Sequence, residues 1–133
     1  MTIVVGYMPG RAGEQVLTAA VAEARIQRAP LVIVNSSTGA AYADSGLVPE
    51  AQLLATRDHL RRQELDVEVV QIPDAVAVAQ SLLLEARRVS ADLLVIGLRH
   101  RSRTGKFLLG STAQTLLLQA PCNVLGVRLL DHG

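Results

Sequence analysis

Short apolar runs rich in β-branched residues punctuate the chain at IVVGY (3–7), LVIVN (31–35), VEVVQ (67–71), LLVIG (93–97) and NVLGV (123–127). Runs of this length and composition read as strands. Between them, apolar residues recur at spacings of three and four: Val16, Leu17, Ala20, Val21 and Ala24; Leu53, Leu54 and Leu60; Val78, Leu82, Leu83, Ala86 and Val89; Ala113, Leu116, Leu117 and Ala120. That period puts each set on one face of a helix. Strands alternating with helices predict right-handed crossovers and a mostly parallel sheet. The near-continuous apolar stretches LVIV and LLVI suit strands covered on both faces. The expected fold is therefore α/β, a three-layer doubly wound sandwich on a five-stranded, mostly parallel sheet. In such a sheet a ligand sits beyond the carboxyl ends of the strands, where the winding reverses.

The 133 residues suffice for one domain, 1–133, with one full core. Half of them are hydrophobic but only 2% are aromatic, so the core must be built from Val, Leu, Ile and Ala. With a net charge of +1 and no aromatic platform for stacking bases, a nucleic-acid partner is not expected. No apolar run approaches the ~20 residues needed to cross a bilayer, so no membrane partner is expected. The start of the chain runs into IVVG without a basic leader, and the single cysteine, Cys122, has no internal disulfide partner. Both point to the cytoplasm.

The loop and helix start GLRHRSRTGKFLLGST (97–112) carry the most chemistry. Gly110-Ser111-Thr112 opens the fourth helix, where unpaired N–H groups and a partial positive charge favour a phosphate. Arg99, Arg101, Arg103 and Lys106 precede it within eight positions. The same hydroxyls also fit a plain helix cap, and the basic residues a solvated face. This is not a Walker A loop, since His100 stands where its first glycine would be and Phe107 replaces the hydroxyl residue. Nor is GYMPGRAG a dinucleotide fingerprint; its glycines at 6, 10 and 13 have the wrong spacing and read as turn-shaping residues. The long small-residue segment 36–50 reads as a surface loop whose closing Pro49-Glu50 starts a helix.

Gly97, Gly110 and Ser111 match in register the motif G-x2-G-x9-G-[S/T], and QAPCNVLGV near the end matches an "APCPVLVV" pattern. On these features and the strand-loop-helix frame, the whole chain resembles the universal stress protein family. The resemblance implies a Rossmann-like fold of the adenine nucleotide alpha hydrolase type and a stress-response or regulatory role. It also implies binding of ATP or another adenine nucleotide. On that basis Gly97, Arg99, His100, Gly110, Ser111 and Thr112 are the expected phosphate-side residues, and Tyr7, Met8 and Val34 the adenine and ribose side. Two positions depart from the pattern: His100 occupies the second glycine, and Met8 replaces an aspartate that the family carries just after the first strand. A carboxylate that accepts hydrogen bonds from ribose or base contributes on the order of 1.5–3 kcal/mol, and a thioether is a poor acceptor.

Two other functions remain open on these departures: a protein-interaction module without ligand, and a slow ATP hydrolase. The sequence offers no evident acidic ligand for magnesium, no nucleophile elbow around LGSTA, and no metal spacing among His59, His100 and His132. Asp44, Asp74 and Asp92 form no fixed pair, and Cys122 reads as an inert core thiol. Family resemblance further implies a homodimer through the last strand, with Val124, Leu125, Val127 and Leu129 in or near the contact. An apolar edge strand invites such pairing.

Overall fold

The computed structural model describes residues 1–37, 46–73, 77–98 and 109–129. Its elements run β1 (Ile3–Tyr7), α1 (Gly10–Gln27), β2 (Leu31–Ser36), α2 (Glu50–Arg62), β3 (Val67–Ile72), α3 (Val78–Arg88), β4 (Leu93–Leu98), α4 (Ser111–Gln119) and β5 (Asn123–Arg128). The strands form one sheet in the order β3-β2-β1-β4-β5, and every pairing is parallel. The chain winds outward from β1 to β3, then returns through α3 to the other side of β1 and winds out again. The reversal lies between β1 and β4. This is the doubly wound α/β sandwich expected from the periodicity.

β2 to β5 each run one residue beyond the apolar stretch seen in the sequence, because ladder pairing continues from Ser36 to Ile72 and from Leu98 to Arg128. Side chains alternate across the sheet and build two cores. On one face Ile3, Val5, Leu31, Ile33 and Val95 pack beneath Val16, Leu17 and Ala20 of α1 and Leu53 and Leu60 of α2. On the other, Val4, Val32, Val34, Leu94 and Ile96 pack against Leu82, Leu83 and Ala86 of α3 and Ala113 and Leu116 of α4. A fully buried Val, Leu or Ile contributes roughly 1.5–3 kcal/mol, so these faces, rather than helix propensity, hold the layers together.

One helix face differs from expectation. In α4 only Leu116 of the three consecutive leucines is fully buried; Leu117 is 45% exposed and Leu118 85%. Successive helical residues turn by ~100°, so a run of three cannot share one buried stripe. Helix α2 begins as expected, with Pro49 at its N-cap and Glu50 as its first residue.

Candidate functional site

At the carboxyl ends of β1, β2 and β4, beside the start of α4, lies a crevice of about 380 Å³. Its floor is apolar. Val34 is buried from the β2 side, and Leu82 rises from α3 beneath Gly6, where an added Cβ would stand 3.1 Å from its Cδ1. Ser36 and Gly46 line it past the end of β2, and Gly110, Ser111 and Thr112 line it at the start of α4. Among the described residues that line it, none carries a charged side chain.

Gly110 is the N-cap of α4 with extended backbone (φ −66°, ψ 160°), no side chain among the described residues makes a cap hydrogen bond there, and no acidic residue occupies the first turn. The alternative in which Ser111 or Thr112 caps the helix therefore does not hold, since both lie within it. The first N–H groups of such a helix have no partner inside it. A Cβ added to Gly110 would meet nothing within 4 Å, so no packing within the described chain demands glycine there. Gly97 differs. A Cβ at that position would stand 2.9 Å from Cγ2 of Val16 and 3.3 Å from Cδ1 of Leu129, so its packing against α1 and the residue that follows β5 requires a small residue.

The turn after β1 is equally tight. Gly10 adopts φ +84°, which favours glycine. A Cβ on Gly13 would lie 1.6 Å from the Met8 carbonyl oxygen, so α1 sits directly on that carbonyl. Tyr7 borders the crevice, yet its ring belongs to the α1 side. Its hydroxyl donates to Oε1 of Glu14 at 3.1 Å. Burial, then the Glu14 carboxylate, pushes the Tyr7 pKa up to about 12.

The polar centre of this end is Asn35, which is fully buried. Its Nδ2 donates to the carbonyls of Tyr7 at 3.1 Å and Gly46 at 2.8 Å, and its Oδ1 accepts from the Val48 N–H at 2.9 Å and Gln71 Nε2 at 3.1 Å. One amide thus ties β1, β2 and β3 to the segment leading into α2. A buried amide survives only when its donors and acceptors are matched.

The family model of the universal stress protein family matches residues 1–128. The chain belongs to the universal stress protein family. A universal stress protein of Mycolicibacterium smegmatis is 37% identical over 131 residues, covering 98% of each chain. Among solved structures, a universal stress protein from Archaeoglobus fulgidus is similar at 28% identity and a TM-score of 0.74, over 96% of this chain and 98% of that one. The universal stress protein from Archaeoglobus fulgidus in complex with dAMP is similar at 25% identity and a TM-score of 0.64, over 96% and 97%.

In this family member the structure brings Tyr7, Met8, Val34, Gly97, Gly110, Ser111 and Thr112 to one crevice. Arg99, His100, Arg101, Arg103, Lys106, Asp44, Asp74 and His132 lie outside the described residues. Asp92 is at the opposite end of the sheet, where its Oδ2 accepts from the Thr2 N–H at 3.0 Å. Cys122 is half-buried, with its pKa raised by burial and then by Asp92. Val124, Leu125, Val127 and Leu129 are half-buried against the cores of their own chain, on or just past the edge strand β5. Among the described residues no three His, Cys, Asp or Glu gather as a metal would need, and no helix is long and apolar enough to cross a membrane.

Sequence reading missed Asn35 and Gly46. The available signal was the amide that ends the otherwise apolar run LVIVN.

Proposed function

We propose that this universal stress protein is a regulatory binding protein that holds an adenine nucleotide in the crevice. The observation that carries the reading is the start of α4, with Gly110 as its N-cap and no capping side chain among the described residues, lining a crevice with an apolar floor at the point where the winding reverses. The N–H groups and hydroxyls of Ser111 and Thr112 receive the phosphate, and Gly110 lets it approach closely. Val34 and the end of β2 receive the base. Arg99 and His100 complete the phosphate side. Support comes from the solved Archaeoglobus fulgidus family member in complex with dAMP. Hydrolysis is not part of the proposal, because no described lining residue offers a carboxylate to hold magnesium.

The protein acts in the cytoplasm as a homodimer paired through β5, whose outer edge has no neighbour among the described strands. The deciding experiment is denaturation of freshly purified protein with mass detection of released small molecules, followed by nucleotide titration of the stripped protein. A stoichiometric adenine nucleotide, or saturable binding of one, is the expected result. An empty protein that no adenine nucleotide saturates at millimolar concentration would overturn the reading and favour a protein-interaction module.

A further inference from the structure

Two residues that line the crevice, Tyr7 and Gly46, are held from outside it. Their carbonyls accept from Nδ2 of Asn35, a buried side chain that does not itself line the crevice. An amide holds two carbonyls only while its nitrogen end faces them, and a flip of the planar group would put an acceptor there instead. What fixes the orientation is the pair of donors on the other end. Oδ1 accepts from the Val48 N–H at 2.9 Å and from Gln71 Nε2 at 3.1 Å.

The sheet register pairs Tyr7 with Asn35 and Asn35 with Gln71, so the three residues form one row across β1, β2 and the edge strand β3. Gln71 Nε2 also donates to the Val48 carbonyl. One half-buried side chain, outside the crevice lining, thus supplies hydrogen to two acceptors of the polar centre. The ladder between β2 and β3 is made by backbone groups and does not depend on that side chain. Removing its donors therefore loosens the Asn35 amide while the sheet stays in place.

We propose that Gln71 is a positioning residue for the crevice: it orients the Asn35 amide, and through it the backbone at Tyr7 and Gly46, so that nucleotide affinity depends on a side chain that does not line the site. This rests on the nucleotide reading above and adds a residue to it. The test is calorimetric titration of the stripped full chain with ATP and with AMP, at a temperature where circular dichroism shows each variant fully folded. Gln71→Glu keeps the shape but sets a carboxylate against Asn35 Oδ1, which favours the flipped amide; affinity for the tighter-binding nucleotide is expected to fall by about tenfold or more. Gln71→Leu only removes the donors and is expected to weaken binding by about threefold to tenfold. Glu68→Gln, exposed on the same strand, is expected to stay within about twofold of the wild type. A merely structural role lowers the unfolding midpoint but leaves the dissociation constant of the folded chain unchanged. Affinity within about twofold of the wild type in Gln71→Leu would therefore overturn the inference while leaving nucleotide binding intact; Gln71→Glu decides in the same way if the leucine variant does not fold. Failure of both to fold would also overturn it, by making Gln71 a residue of the fold. Binding of neither nucleotide to the wild type would overturn the nucleotide reading and this inference together.

Discussion

The buried amide of Asn35 donates to the Gly46 carbonyl at 2.8 Å, and through this bond the end of β2 holds one wall of the crevice in place. Gly46 itself sits at φ +72°, a conformation that tolerates a side chain poorly. Because the same amide also reaches Tyr7, Val48 and Gln71, it spans three strands and the approach to α2. Removing it leaves several groups without their partner at once. Asn35→Ala is expected to destabilise the fold by about 2–4 kcal/mol, above a typical single hydrogen bond. Denaturant unfolding checks this; a loss below about 1 kcal/mol would show that water replaces the amide without penalty.

Two glycines that look alike in sequence are expected to behave oppositely. Gly13→Ala drives a Cβ into the Met8 carbonyl and is expected to cost more than about 2 kcal/mol, since backbone must move. Gly110→Ala meets nothing within 4 Å at an ordinary φ of −66°, so stability should change by less than about 1 kcal/mol while nucleotide affinity falls. Thermal unfolding and titration of both variants separate the two roles. Equal stability losses would remove the distinction.

Alkaline stability should report Tyr7. Its pKa is raised from 10 to about 12, so the folded state holds the phenolic proton more tightly than the unfolded chain. That contribution is fully present below pH 10 and is lost as pH rises from 10 towards 12, on the order of 2 kcal/mol in total. Tyr7→Phe, which keeps the buried ring, is expected to flatten the fall in unfolding free energy over this window. An unchanged slope between pH 9 and 11.5 would assign the alkaline loss to other groups.

Assembly through β5 predicts a particle of twice the 14.2 kDa chain mass in sedimentation equilibrium. Leu125→Asp is expected to shift it towards monomer, with circular dichroism confirming that the chain still folds. A monomer mass independent of concentration in the unaltered protein would contradict pairing through this edge.

The strands and helices were legible because their signals are local: β-branched runs and helical spacing can be counted along the chain. Gly110-Ser111-Thr112 was legible in the same way, as a glycine and two hydroxyls at the start of a helical period. Asn35 was not, because its importance comes from Gly46, Val48 and Gln71, the last of them 36 positions away. The packing of Gly97 was equally hidden, since the side chains that exclude a Cβ there belong to Val16 and Leu129.

By itself, then, the order of residues determined the layered α/β fold and which loops would gather at the carboxyl ends of the strands, because burying alternating apolar faces leaves few other arrangements. Tertiary structure alone decided which polar groups remain for a ligand. The Tyr7 hydroxyl donates to Glu14, Asn35 donates to the carbonyls of Tyr7 and Gly46, and the Met8 carbonyl lies directly against Gly13. Each of those groups looks available in the sequence. Hydrogen bonds and close contacts between distant segments consume them, and such pairings exist only once the chain has folded.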